Sequence, residues 1–168
     1  ATCRAIDAGF DGIEIHGANT FLIQQFYSPH SNRRMDRWGG SRDERAHFPL
    51  AVTRKVQEVV AEEASEDFIV GYRFSPEEIE DPGIRFEDTM YLLNKLAEED
   101  LDYFHVSLAY YKATSLVDTT DTQPLIEKYR QAQSDRLAQI PLIGVGGIVH
   151  RADAEAALAA LDITLEHF

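Results

Sequence analysis

The chain has 168 residues, 44% of them hydrophobic, enough for one domain with a real core and too apolar for disorder. Sixteen basic and 29 acidic residues leave a net charge of −13, which argues against nucleic acid and anionic membrane surfaces as partners. One cysteine allows no intrachain disulfide; with no apolar run of roughly 18 residues and no signal-peptide pattern, the expected location is the cytoplasm.

Residues 1–9 read as the end of a helix closed by Gly9. Residues 11–16 form a strand in which Ile13 and Ile15 share one face and Glu14 and His16 the other, because successive side chains alternate. A long connection follows, through Trp38-Gly39-Gly40-Ser41, of a length that usually carries function. Phe48, Val52, Val56, Val59 and Val60 recur at helical spacing and predict a helix over about 43–63, with Glu62, Glu63 and Glu66 as its solvated end. Strand 68–74 is apolar except for Arg73. A polar loop over 75–85, a helix over 86–99, a strand over 101–107, a helix over 122–138, a strand over 141–147 and an Ala-rich helix over 151–160 come next. Leu161–Leu165 opens a fifth strand.

An apolar-Asp step recurs between helix end and strand at Phe10-Asp11, Leu101-Asp102 and Leu161-Asp162, so the repeat unit is helix then strand. Such alternation implies right-handed crossovers and a parallel sheet. Four units with a fragment at each end predict an α/β fold, part of a TIM (β/α)8 barrel, which as a whole needs about 250 residues. The whole of 1–168 is expected to be one such domain, truncated at both ends.

Strand ends in parallel α/β proteins hold ligands, which makes His16 and Asn19 a candidate pair for one carbonyl or phenolate oxygen, against the alternative of a structural histidine. Arg73 needs an anionic partner, either a carboxylate across the sheet such as Glu14 or a ligand. Gly144-Val145-Gly146-Gly147, after a strand and before a helix, suits a phosphate but also suits a plain turn. His30, His47, His105, His150 and His167 show no metal-ligand spacing and read as surface or packing residues; no metal site is expected.

Glu14-Ile15-His16-Gly17-Ala18-Asn19-Thr20-Phe21-Leu22, then Ser28-Pro29-His30-Ser31-Asn32-Arg33-Arg34-Met35-Asp36-Arg37-Trp38-Gly39-Gly40-Ser41 with Arg45 and Phe48, closely resembles the Old Yellow Enzyme family of FMN-dependent NAD(P)H oxidoreductases. The resemblance covers the fourth barrel strand to the start of the eighth. It implies FMN across the mouth of the barrel, reduced by NADH or NADPH and reoxidised by a small electron-poor acceptor such as an enone or quinone. It also implies that His16 and Asn19 bind the acceptor oxygen, that Arg73 lies against the flavin N1 and C2 carbonyl, and that Gly146 and Gly147 meet the FMN phosphate.

Three departures stand out. Phe21 occupies the place of a tyrosine that protonates substrate carbon in many members, and it has no exchangeable proton. Ser41-Arg42-Asp43-Glu44-Arg45 keeps the family's arginine but changes its neighbours, and Arg33, Arg34, Asp36 and Arg45 are expected to tie the loop to the barrel by ion pairs. The first three strands and the element after strand eight are missing from the resemblance. The alternative to a catalytic role is therefore a non-catalytic half-barrel that binds little or no flavin and associates, as a homo-oligomer or with a partner, through exposed edges.

Overall fold

The computed structural model describes residues 1–160; the strand expected at 161–165 lies outside them. Helix α1 (Thr2–Asp7) leads through Gly9, at φ +77, into strand β1 (Gly12–Gly17). Short helix α2 (Leu22–Tyr27) and long helix α3 (Arg42–Glu63) follow, then β2 (Ile69–Phe74), α4 (Phe86–Leu96), β3 (Tyr103–Val106), α5 (Leu125–Ala132), β4 (Leu142–Ile143) and α6 (Arg151–Ala160). The strands form one parallel sheet in the order β1-β2-β3-β4. Sequential order with a helix in each crossover is the arrangement of successive units of a (β/α)8 barrel.

Strand alternation sorts the sheet into two faces. Ile15, Val70, Tyr72, Phe74, Phe104 and Val106 are buried under the helices, where Leu93, Leu96 and Leu125 complete the core. Each such side chain contributes roughly 1.5–3 kcal/mol by burial. The opposite, inward face carries Glu14 and His16, Gly71 and Arg73, Tyr103 and His105, and Ile143. It is open in places: Ile69 is 46% and Ile143 44% exposed.

Two elements differ from expectation. Residues 122–138 do not form one helix; α5 ends at Ala132, and a 3-10 turn at Leu137–Gln139 follows, opened by Ser134 Oγ, which accepts from Leu137 N–H. The fourth strand pairs over only two residues, Leu142 and Ile143, before the chain passes through Gly146 and Gly147 at φ +113 and +70. In α3, Ala46, Pro49, Leu50 and Thr53 form the buried stripe, while Val52, Val56 and Val60 pack half-buried at its flank.

Ser41 starts α3 with a capping box: its Oγ accepts from Glu44 N–H at 3.2 Å and Glu44 Oε2 accepts from Ser41 N–H at 2.9 Å. This bond holds the Glu44 carboxyl below its ordinary value; the Tyr91 hydroxyl and then Lys95 do the same for Asp43, and Lys128 for Asp121. Depressed carboxyls contribute stability above their unfolded values and lose it as pH falls through the folded ones. The thermal midpoint is therefore expected to stay level from neutral pH to about 5 and to fall below about pH 4, with a shallower fall in Asp43→Asn.

Candidate functional site

The long β1–α3 connection is built around Asn32. Its buried amide donates to Phe26 O and Trp38 O, and its Oδ1 accepts from Arg34 N–H. A side chain at Gly39 would strike Arg34 and this same Oδ1. The expected ion pairs to the barrel do not form. Arg34 pairs with Asp36 inside the loop, Arg33 Nε donates to His30 O, and buried Arg45 donates to the carbonyls of Tyr27 and Gly40. Arginine serves here as a multi-donor clamp on backbone oxygens.

A second anchor escaped sequence reasoning. Glu78, 7% exposed in the β2–α4 loop, accepts from Gln24 Nε2 at 2.7 Å, Ser28 Oγ at 2.5 Å and Ile84 N–H at 3.0 Å. Gln24 Oε1 in turn accepts from Thr20 N–H at 3.1 Å. Asn19 and Thr20 both adopt positive φ, +56 and +60, a strained turn that these bonds hold. Nothing in an acidic loop segment marked Glu78, or the equally buried Glu77 beside it, as an anchor.

Asn19 N–H donates to Ser75 Oγ at 2.9 Å, and Asn19 Oδ1 accepts from Ser107 Oγ at 2.7 Å. Ser107 Oγ also accepts from Arg73 Nη2 at 3.1 Å. An arginine only donates, so the serine proton goes to Asn19 Oδ1, and the amide Nδ2 stays outside this chain of bonds. His16 and Arg73 are Cα partners across β1 and β2. The His16 ring leans on Phe21, with centroids 4.9 Å apart, and Phe21 is 58% exposed. His16 Nδ1 and Arg73 Nε are buried without a hydrogen-bond partner.

Glu14 is not the partner of Arg73. Its Oε2 bonds His105 Nδ1 at 2.8 Å and accepts from Tyr103 OH at 3.2 Å. Of the surface or packing roles expected for His105, the structure shows a paired, inward-facing packing residue. Strand alternation showed that Glu14 faces inward, but only the register brings it to β3.

Gly146 and Gly147 lie at the end of β4 against the β3–α5 connection. A Cβ on Gly146 would meet Leu108 O at 2.6 Å and Tyr110 N at 2.7 Å, and Gly146 O accepts from Tyr111 N–H at 2.9 Å. This packing alone requires glycine. The amides of Val149 and His150, the two residues before α6, donate to Asp153 Oδ2, so the helix reaches back over the turn that precedes it. Among the described residues no group of three or more His, Cys, Asp or Glu side chains is placed to hold a metal ion.

A family model described as the NADH:flavin oxidoreductase / NADH oxidase family matches residues 1–166. The chain belongs to that family. Its flavin oxidoreductase relatives include a NADH:acrylate oxidoreductase of Vibrio harveyi, 61% identical over 94% of this chain and 16% of the relative. A NADH:fumarate oxidoreductase of Klebsiella pneumoniae (strain 342) is 62% identical over 92% of the chain and 17% of the relative. Morphinone reductase superposes with a TM-score of 0.69 at 30% identity, over 96% of the chain and 40% of that structure. The chain spans about a sixth of the length of the two enzymes and two fifths of morphinone reductase. This is the Old Yellow Enzyme family that the long connection resembles, and its barrel is the fold to which the four strands belong.

Proposed function

We propose that the chain carries the acceptor-binding and part of the flavin-binding machinery of an enzyme that passes a hydride from NADH or NADPH, through FMN, to an electron-poor acceptor held by His16 and Asn19. The observation that carries this reading is Arg73: a guanidinium beside His16 with no carboxylate within 4 Å among the described residues and a buried Nε without a partner. A cation so placed is costly unless an anion or electron-rich ligand meets it.

FMN supplies, when bound, a ring that takes and gives hydride. Arg73 would meet the ring's electron-rich N1 and C2 carbonyl edge. Gly146 and Gly147 would offer backbone amides to the phosphate, ahead of the Val149 and His150 amides that Asp153 already takes. His16 and the Asn19 amide donate to the acceptor oxygen and draw electron density from its conjugated β-carbon. The two named relatives act by their names on acrylate and fumarate, and a conjugated carbonyl acceptor fits the same pair of donors. Phe21 gives no proton, so carbon protonation falls to water or to another side chain.

Titration of the chain with FMN, followed by absorbance and fluorescence quenching, tests the reading; saturable binding is expected. No binding would favour the non-catalytic half-barrel, for which the exposed Ile69 and Ile143 of the inward face speak. In the FMN-loaded protein, His16→Ala is expected to weaken a phenolic ligand by about tenfold, the loss of one hydrogen bond to a charged oxygen. Unchanged phenol affinity would remove His16 from this role.

A further inference from the structure

Glu14 is the one carboxylate on the inward positions of the four described strands, and it stands diagonally below Arg73. Glu14 pairs in register with Gly71, two residues before Arg73, which places the two Cα atoms roughly 8 Å apart from strand spacing and rise. Two long side chains of opposite charge at that separation ordinarily pair. Here they do not: Glu14 is turned across Gly71 to β3, where His105 Nδ1 and the Tyr103 hydroxyl hold it, and Arg73 bonds Ser107 instead. Gly71 makes this possible, since any side chain there would collide with the Tyr103 ring lying over it.

We infer that His105 and Tyr103 are positioning residues that withhold Glu14 from Arg73 and so keep the guanidinium available to an anionic or electron-rich ligand. The inference rests on the proposed role of Arg73. The His105 and Glu14 side chains are 16% and 28% exposed, both half-buried on the inward face. Burial, and then the Glu14 charge, push the Tyr103 phenol up, which keeps its proton in place as a donor to Glu14. Tyr103 and His105 lie on one strand two residues apart, so both donors reach Glu14 from the same side.

The test sets His105→Leu against a second change at Glu14. In the full chain, His105→Leu frees Glu14 to swing to Arg73, and FMN affinity is expected to fall about tenfold. His105→Asn, which keeps an N–H near the Nδ1 position, retains most of the affinity, and Glu14→Gln alone does not weaken it. Glu14→Gln in the His105→Leu background restores binding to within about twofold, because the competing charge is gone. A merely structural His105 gives a loss that Glu14→Gln does not repair, and that result overturns the inference. The FMN-free crystal structure of His105→Leu decides independently: a Glu14 carboxylate within about 4 Å of Arg73 supports withholding, and one still turned to β3 ends it. If Arg73→Gln leaves FMN binding unchanged, the proposed role of Arg73 fails, while this crystallographic result still settles where Glu14 goes.

Discussion

Arg73→Gln is expected to lower FMN affinity by roughly 30-fold to 150-fold, about 2–3 kcal/mol, the range for a hydrogen bond involving a charged group. The guanidinium sits in the middle of the inward face, one strand from His16; among the described residues Ser107 is its only hydrogen-bond partner and its Nε has none. Glutamine keeps a donor near Ser107 but removes the charge. Folding should suffer little, since an unmatched half-buried cation adds nothing to stability that a neutral amide lacks. Equilibrium titration of both proteins, paired with urea unfolding, separates the outcomes: equal Kd values would end the flavin role of Arg73, and a large stability loss would make it a structural residue.

Glu78→Leu is expected to cost about 3 kcal/mol or more of unfolding free energy, and Glu78→Gln less. Three donors from two segments converge on this carboxylate: the Gln24 amide and the Ser28 hydroxyl of α2 and its cap, and the Ile84 N–H. Leucine would leave them buried and unsatisfied, at roughly 1–3 kcal/mol each, not fully additive. The loss should reach the site as well, because Gln24 also secures Thr20 beside Asn19. Urea unfolding checks the first effect, and a weaker phenolic ligand in the FMN-loaded Glu78→Gln protein the second.

Much of the fold was legible in the sequence because it is periodic. Ile13 and Ile15 against Glu14 and His16 announced a strand with two faces, and the helix-strand alternation announced the parallel sheet. What was not legible depends on register and on loop closure. Glu14 and His105 are separated by 91 positions, and only the pairing of three strands puts them 2.8 Å apart. Ser75 and Ser107 read as ordinary strand-end serines, yet they hold the two ends of Asn19. Gly146 and Gly147 were marked for a phosphate by the family resemblance and equally suited a plain turn, and the close approach of residues 108–110 supplies a packing reason for glycine there. The arginines of the long connection were read as ion-pair formers because a sequence shows charges and not the carbonyls they cap.

The Arg73–Ser107–Asn19 chain has a consequence for how the protein is made. Asn19 is set by a serine 88 positions further along, just past the end of the third strand. A nascent chain emerging N-terminus first carries His16, Asn19 and even Arg73 long before the residue that orders them. Ligand capture should thus be a late event in biogenesis, with premature binding to an unfinished chain disfavoured by the connectivity itself. Once β3 docks, a ligand that recognises only the finished arrangement deepens the native well by mass action, so its supply during synthesis is a lever on yield.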